Sequence, residues 1–336
     1  VKLVLLAGVI AMLLSIGAGP AFIAFVRRNA LGQQIREEGP AGHMSKQGTP
    51  TMGGLFLLAC SLLTFAVLTK RTTPALTVAG VTLACAAIGF VDDWFSLAHR
   101  RSLGLSGRWK MLGLLGVTAA LGYVAHRQHL STDVYVPLLD FHLELGPAYY
   151  VLLFLVVAGG ANAVNLTDGL DGLAAGTMTI AMLTYTAMMV VAFLSPDGLT
   201  PEGAASRIDL AIIGAAIVGG CVGFLWYNAY PADVFMGDTG SFGLGGALAA
   251  MAVFTKTELL LILIGGLFVI EALSVAIQVV AFKTTGRRVF LMAPIHHHFE
   301  MLEWTENKII VRFWILAAIC GASGFVLYYL AYSKFR

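Results

Sequence analysis

Ten stretches of the chain are apolar over about 17–25 residues, the length an α-helix needs to cross the hydrocarbon core of a bilayer. They cover 3–26, 52–69, 75–91, 109–125, 147–164, 173–194, 210–230, 239–255, 259–282 and 313–333. The fourth is short and the eighth is rich in glycine. A segment in lipid must satisfy its own backbone hydrogen bonds, so the pattern predicts an all-α chain of about ten transmembrane helices. The short alternating segments of a membrane barrel are absent. One connection differs. Residues 131–145, STDVYVPLLDFHLEL, partly alternate polar and apolar around Pro137 and predict a short outer β-hairpin. No polar stretch is long enough for a soluble domain, which leaves one integral-membrane domain over 1–336.

Composition sharpens this picture. Of the 336 residues 58% are hydrophobic and only 12% charged, with a mean hydropathy of +0.83. A soluble domain needs about twice that charged share. A net charge of +2 gives no reason to expect a nucleic-acid partner. Cys60, Cys85, Cys221 and Cys320 lie in apolar stretches without metal-ligand spacing and read as small buried hydrophobes. The first apolar run is too long for a signal peptide and leads into Arg27-Arg28 rather than a cleavage site.

Ten crossings put both termini on one side. The five connections on the opposite side carry 13 of the 21 Lys and Arg residues. The positive-inside rule places those connections in the cytoplasm and the termini outside. The acids gather there too: Asp92, Asp93, Asp168, Asp171, Asp233 and Asp238 all fall at the cytoplasmic ends of runs.

Five motifs hold most of the polar chemistry. In SKQGTPTMGG, Ser45 to Gly54, the glycines and Thr-Pro suit a tight turn whose backbone N–H groups face a ligand, with Lys46 ready to meet a phosphate. A plain helix-entry turn explains the same residues. In GFVDDW the adjacent Asp92 and Asp93 close the third run. Two carboxylates at a membrane boundary are costly and oppose the dipole of a helix C-terminus, so they suit a general base or cation ligands better than a solvated helix end. In NAVNLTDGLDGLAAG, Asn165, Asp168 and Asp171 recur every third residue, which on a helix would hold them near one face. Such groups suit a nucleobase edge, ribose hydroxyls or a metal, and a helix cap competes as a reading. In NAYPADVFMGDTGSFGLGG, Asp238 opens a helix in a Gly-Asp-Thr-Gly-Ser turn. It could hold a hard cation while the helix N-terminus faces a phosphate, or act as a cap. Asn228 and Phe235 suit a base, by amide and by ring. In PIHHHFE, His296, His297 and His298 lack helical zinc spacing but suit phosphate or sugar, with Arg288 a further phosphate candidate. Glu271 stands alone in the middle of the ninth run, where an acid is either functional or hydrogen-bonded to another helix.

Together these groups converge on one membrane face, which suits a soluble phosphate ester meeting a lipid. The carboxylates point to Mg2+ and the reaction class to phosphoryl transfer.

The five motifs, in order from residue 45 to 300, resemble those of the polyprenyl-phosphate N-acetylhexosamine-1-phosphate transferases. The triple histidine followed by Phe299 and Glu300 is similar to the branch that uses muramoyl-pentapeptide donors. The resemblance implies transfer of phospho-MurNAc-pentapeptide from UDP-MurNAc-pentapeptide to undecaprenyl phosphate, giving lipid I and UMP in peptidoglycan synthesis. It implies Mg2+, a bacterial inner-membrane location with the site on the cytoplasmic face, contact with membrane lipid, and it allows a homodimer. It assigns Asp238 to the metal and Asp92 and Asp93 to the lipid phosphate, with Asp92 the base. Lys46, Asp168, Asp171, Asn228 and Phe235 fall to the uridine and phosphate pocket, and His296, His297 and His298 to the diphosphate or sugar, with Asn165 a further substrate-binding candidate from its spacing. The chain departs from the family at Ser96, where a lysine is common. Lys110, Arg100 or Arg101 are the residues able to supply that charge. The alternatives are a sister transferase using UDP-GlcNAc and, from another class, an ion-coupled transporter relaying through Asp92, Asp93 and Glu271.

Overall fold

Helices form in all ten apolar runs of the computed structural model, which describes residues 1–29, 48–99, 104–137, 139, 141–195 and 200–334. In chain order they are α1 (Lys2–Arg28), α2 (Gly54–Leu68), α3 (Thr73–His99) and α4 (Gly107–Arg127). Strands β1 (Asp133–Val136) and β2 (Phe141–Glu144) follow. Then come α5 (Tyr149–Thr167), α6 (Leu173–Leu194), α7 (Pro201–Asn228), α8 (Gly237–Phe254), the short α9 (Leu261–Ile264), α10 (Gly266–Thr285), the short α11 (Ile295–Met301) and α12 (Glu306–Lys334). Seven segments are long and apolar enough to cross a membrane: α1, α3, Gly146–Thr167, α6, α7, α10 and the Glu306–Ala331 part of α12. The chain is an all-α polytopic membrane protein. Its outward surface agrees, since Leu5, Val67, Leu83, Ile262 and Ile319 are all exposed on different helices. The hairpin reading holds as local structure, with Asp133 opposite Glu144 and Val136 opposite Phe141 in antiparallel register.

The glycine-rich α8 is the helix that the sequence marked as a weak span, and it lies at the centre of the bundle. Every residue from Thr239 to Val253 is buried. Its low hydropathy follows from this place: a helix facing protein on all sides needs small side chains for close packing, not a lipid-compatible surface. Gly54 of α2 and Gly240 of α8 mark a close crossing. A Cβ on Gly54 would lie 2.1 Å from the Gly240 Cα. By contrast α1 is strongly apolar and mostly lipid-facing.

Three element boundaries correct the sequence reading. The third run does not end at Asp92-Asp93, because α3 continues to His99. The carboxylates therefore sit inside the helix, and the dipole argument made for a helix end does not apply to them. The ninth run is not one helix; it breaks at Gly265, and α10 starts at Gly266, where a Cβ would meet the Cys320 Sγ of α12 at 2.7 Å. The triple histidine, in the connection before the last run, lies on the short helix α11. In addition α7 begins well before its apolar run, at Pro201, where the Thr200 hydroxyl accepts the Gly203 N–H at 3.1 Å.

Candidate active site

The acid cluster is assembled from one end of α3, α4, α5 and α8. Asp92, Asp93 and Asp238 can each offer an oxygen such that the three lie within 4.8 Å of one another. Both α3 acids are 8% exposed. Three carboxylates this close repel strongly unless cations and hydrogen-bond donors offset them. Lys110, in the first turn of α4, does so directly. Its Nζ donates to Asp238 Oδ2 at 2.6 Å and lies 3.0 Å from Asp92 Oδ1. The ammonium also sits 5.1 Å above the Phe242 ring. Asn165, in the last turn of α5, donates from Nδ2 to Asp238 Oδ1 at 2.8 Å and to Ser241 Oγ at 3.0 Å. The Leu105 N–H donates to Asp92 Oδ1 at 2.6 Å.

Asp93 has a different set of partners. Its Oδ1 accepts the Asp238 N–H at 3.0 Å, and its Oδ2 accepts the Thr239 N–H at 2.9 Å and the Thr239 hydroxyl at 2.6 Å. A carboxylate of α3 thus caps the N-terminus of α8. This corrects the expectation that the first amides of α8 face a phosphate, since Asp93 already holds two of them. Gly237 makes the approach possible: it has φ +75°, and a Cβ there would lie 2.8 Å from Asp93 Oδ2. The first motif is used in a similar way. The Gly53 and Gly54 N–H groups donate to the carbonyls of Phe235 and Met236 at 2.8 and 2.9 Å, and the Phe235 N–H donates to the Pro50 carbonyl at 2.8 Å. These amides join two chain segments and do not face a ligand. Lys46, Arg100 and Arg101 lie outside the described residues. Among the described residues, Lys110 is the cation found on the acids.

Asn165, Asp168 and Asp171 do not share a helix face. α5 ends at Thr167, and a turn over 168–172 leads to Gly172, at φ +78°. The turn sends the three side chains to separate tasks. Asp168 is half-buried beside the cluster. Burial, reinforced by the carboxylates of Asp238, Asp93 and Asp171, pushes its carboxyl well above the usual carboxylate range. Asp171 is 5% exposed; its Oδ2 accepts the Ala232 N–H at 3.0 Å, and its own N–H donates to Glu306 Oε1 at 3.2 Å. Asn228 is buried with both ends of its amide in use, accepting from the Gly172 N–H at 2.9 Å and donating to the Val234 carbonyl at 2.9 Å. Its amide ties two loops together, where the sequence suggested contact with a base. The Phe235 ring is half-buried beside these loops.

The histidines also diverge. His296 is fully buried, with Nδ1 3.1 Å from Glu271 Oε2 of α10. His297 pairs with Glu300 at 2.5 Å. His298 Nδ1 accepts the Leu291 N–H at 3.1 Å. Arg288 is exposed and reaches the Leu291 carbonyl at 3.5 Å. Sequence reasoning missed Thr239, Ser241, Leu105 and Glu306. Hydroxyls, a backbone amide and a surface-type acid carry no motif signal until their partners are known.

Comparison with known proteins follows the same motifs. Residues 75–256 match the profile of glycosyl transferase family 4, and residues 46–58 match signature 1 of the phospho-N-acetylmuramoyl-pentapeptide-transferases. The phospho-N-acetylmuramoyl-pentapeptide-transferase of Rubrobacter xylanophilus is 48% identical over 334 residues, covering 97% of each chain. That of Desulfitobacterium hafniense is 44% identical, again over 97% of each chain. The Bacillus subtilis enzyme of the same name is 43% identical over 92% of this chain and 94% of its own. Similarity at this level over nearly the whole length fixes the lineage, and the chain belongs to the phospho-N-acetylmuramoyl-pentapeptide-transferase family.

Proposed function

We propose that this transferase moves phospho-MurNAc-pentapeptide from UDP-MurNAc-pentapeptide to undecaprenyl phosphate, releasing UMP and forming lipid I. Family membership over nearly the full chain supports this donor over UDP-GlcNAc. The observation that carries the chemistry is the bridging of Asp92 and Asp238 by Lys110, three charged groups from three helices held within ion-pair distance. An ion-coupled relay is disfavoured, because Asp92 and Asp93 are held with Asp238 in one cluster while Glu271 pairs with His296 instead of joining them.

The donor set fits Mg2+. All three candidate ligands are carboxylates, which suit a hard cation. With the three ionised, Lys110 leaves two negative charges uncompensated, enough for one divalent ion. Asp238 is the proposed ligand, and Asp92 and Asp93 can each bring an oxygen within 4.8 Å of it. When bound, Mg2+ supplies neutralising charge for the donor diphosphate. Asn165 and Lys110 hold Asp238 in place from opposite sides. Lys110 also offsets negative charge that builds on phosphate oxygens in the transition state.

In the proposed direct route an ionised oxygen of the lipid phosphate attacks the β-phosphorus of the donor. The bond from that phosphorus to the bridging oxygen breaks, and the electron pair leaves with UMP. A phosphate monoester has its second pKa at about 6, so the nucleophile needs little deprotonation near neutral pH. Asp92 is placed to take any remaining proton. Lys46, Asp168 and Phe235 are proposed to line the uridine and phosphate pocket, and His297 to face the sugar. The site opens on the cytoplasmic face of the bacterial inner membrane, where both the nucleotide donor and the positively charged connections lie.

The test is UMP release in detergent with undecaprenyl phosphate, offering UDP-MurNAc-pentapeptide and UDP-GlcNAc separately. Turnover of the muropeptide donor alone, lost with EDTA and in Asp238→Ala, is the expected result. Turnover of UDP-GlcNAc instead would move the protein to the sister activity. A sugar-phosphate covalently trapped on the enzyme in a single turnover would replace the direct route with a two-step one.

A further inference from the structure

We infer that Glu271 is a positioning residue of the transfer site, acting through His296 on the turn that carries Asp168. The inference rests on the activity proposed above. Glu271 lies in α10 and is fully buried, as is His296. Their side chains meet at 3.1 Å, Oε2 to Nδ1. Oε1 of Glu271 and Nε2 of His296 have no hydrogen-bond partner among the described residues. A buried acid–imidazole pair with one unsatisfied atom on each member is expensive, and an apolar pair of similar volume would pack at no such cost.

The far edge of the imidazole indicates what the pair is for. A Cβ built on Gly169 would lie 2.3 Å from His296 Nε2 and 2.8 Å from its Cε1. The ring therefore abuts the backbone of the residue that follows Asp168. The Oε2–Nδ1 contact fixes the plane of the ring, and a carboxylate in this place would accept from a proton on Nδ1. Behind the ring, α11 is locked in place, since Phe299 packs on Trp304 at 4.6 Å and edge-on to Phe313 at 5.8 Å. The other end of the turn is held as well, by Asp171 on Ala232 and Glu306. His296 completes this support at Gly169 and keeps Asp168 beside Asp238 and Asp93. Being fully buried, His296 acts as a support for the site and Glu271 sets its orientation.

The experiment compares Glu271→Gln, His296→Gln, the double variant and Gly169→Ala in purified enzyme, reading kcat and KM for UDP-MurNAc-pentapeptide. Outer partners that orient the ligands of a metal site are generally worth about 10–100-fold in activity, and a support of the turn beside the proposed ligand Asp238 acts at a similar remove. Each single variant is expected to lose kcat in that range with KM changed less than about threefold, the pattern of a group that serves the transition state. The double variant is expected to be no worse than His296→Gln, because both lie on one line of action. Gly169→Ala pushes on the ring from the other side, leaves the pair's chemistry intact and should give the same kcat loss. Nitrogen-15 NMR of labelled histidine should report a proton on Nδ1 of one imidazole in the wild type and a changed signal in Glu271→Gln. Wild-type kcat in Glu271→Gln, losses that multiply in the double variant, or kcat falling only in step with melting temperature would overturn the inference. Wild-type turnover, abolished by Asp238→Ala, tests the activity itself, so failure of that reading is separable from failure of this one.

Discussion

At the scale of single residues, the cluster divides into groups free to do chemistry and groups already committed. In the proposed mechanism Asp238 and Lys110 are the reactive core. Lys110→Met is expected to lower kcat for UMP release by about 10²–10³-fold, the usual loss when one preorganised charge is removed from a transition state. Unchanged kcat would mean that Lys110 only balances the resting charges. Thr239 belongs to the committed group. Thr239→Val removes one of three donors to Asp93 and should cost about 1.5–3 kcal/mol, the range for a hydrogen bond to a charged group. A thermal-shift scan in detergent would check this, and activity should survive better than in Asp238→Ala. Asn228 tests the same division. Asn228→Ala leaves a buried N–H at Gly172 and a carbonyl at Val234 without partners, each worth about 1–3 kcal/mol. A lowered melting temperature is expected. A stable variant with only a raised KM would return Asn228 to the substrate pocket.

Among elements, the fit of α8 into the bundle governs whether the site forms. Asp238, Thr239 and Ser241 lie in its first turns and all meet residues of other helices, so a small shift of α8 would dissolve the cluster. Gly54→Ala drives a methyl group into the Gly240 backbone and should destabilise by at least the ~1–3 kcal/mol of ordinary overpacking. Gly17→Ala is the matched control, since a Cβ there meets nothing within 4 Å. The helix propensity of alanine makes it neutral or favourable by up to about 1 kcal/mol. Fluorescence-detected size exclusion of heated samples would separate the two. Equal behaviour would show that the α2–α8 crossing is not tight.

For the whole molecule, helix direction places the acid cluster and the hairpin at opposite ends of the bundle. The last turn of α5 meets the start of α8 through Asn165 and Asp238. At the other end, Tyr149 donates to Glu258 at 2.5 Å, and Lys256 donates to the Ser131 carbonyl beside the hairpin. In the proposed orientation, with the charged connections in the cytoplasm, the hairpin faces outward. A cysteine at His142 should then react with a membrane-impermeant maleimide in intact cells. One at Arg287 should react only after permeabilisation. Both sites are exposed, and among the native cysteines Cys320, which is only partly buried, would be replaced first. The reverse labelling pattern would invert the orientation.

The sequence by itself determined the helical class, the ten apolar segments, the hairpin and the acids that cluster between α3 and α8. These follow from local rules: the length of an apolar run, its period, and the cost of charge beside lipid. It also singled out Asp92, Asp93, Asp238, Asn165 and Lys110, because polar residues are few in such a chain and each stands out. What each residue does was decided by tertiary structure. Asp92 and Asp93 are neighbours in sequence, yet one meets Lys110 and the other caps α8, because successive side chains on a helix point about 100° apart and so face different partners. The three histidines divide for the same reason. Glu271 gained a partner 25 residues away, and the glycine-rich eighth run proved central, because the needs of a protein-facing helix differ from those of a lipid-facing one. Composition records how apolar a segment is, and only packing decides what surrounds it.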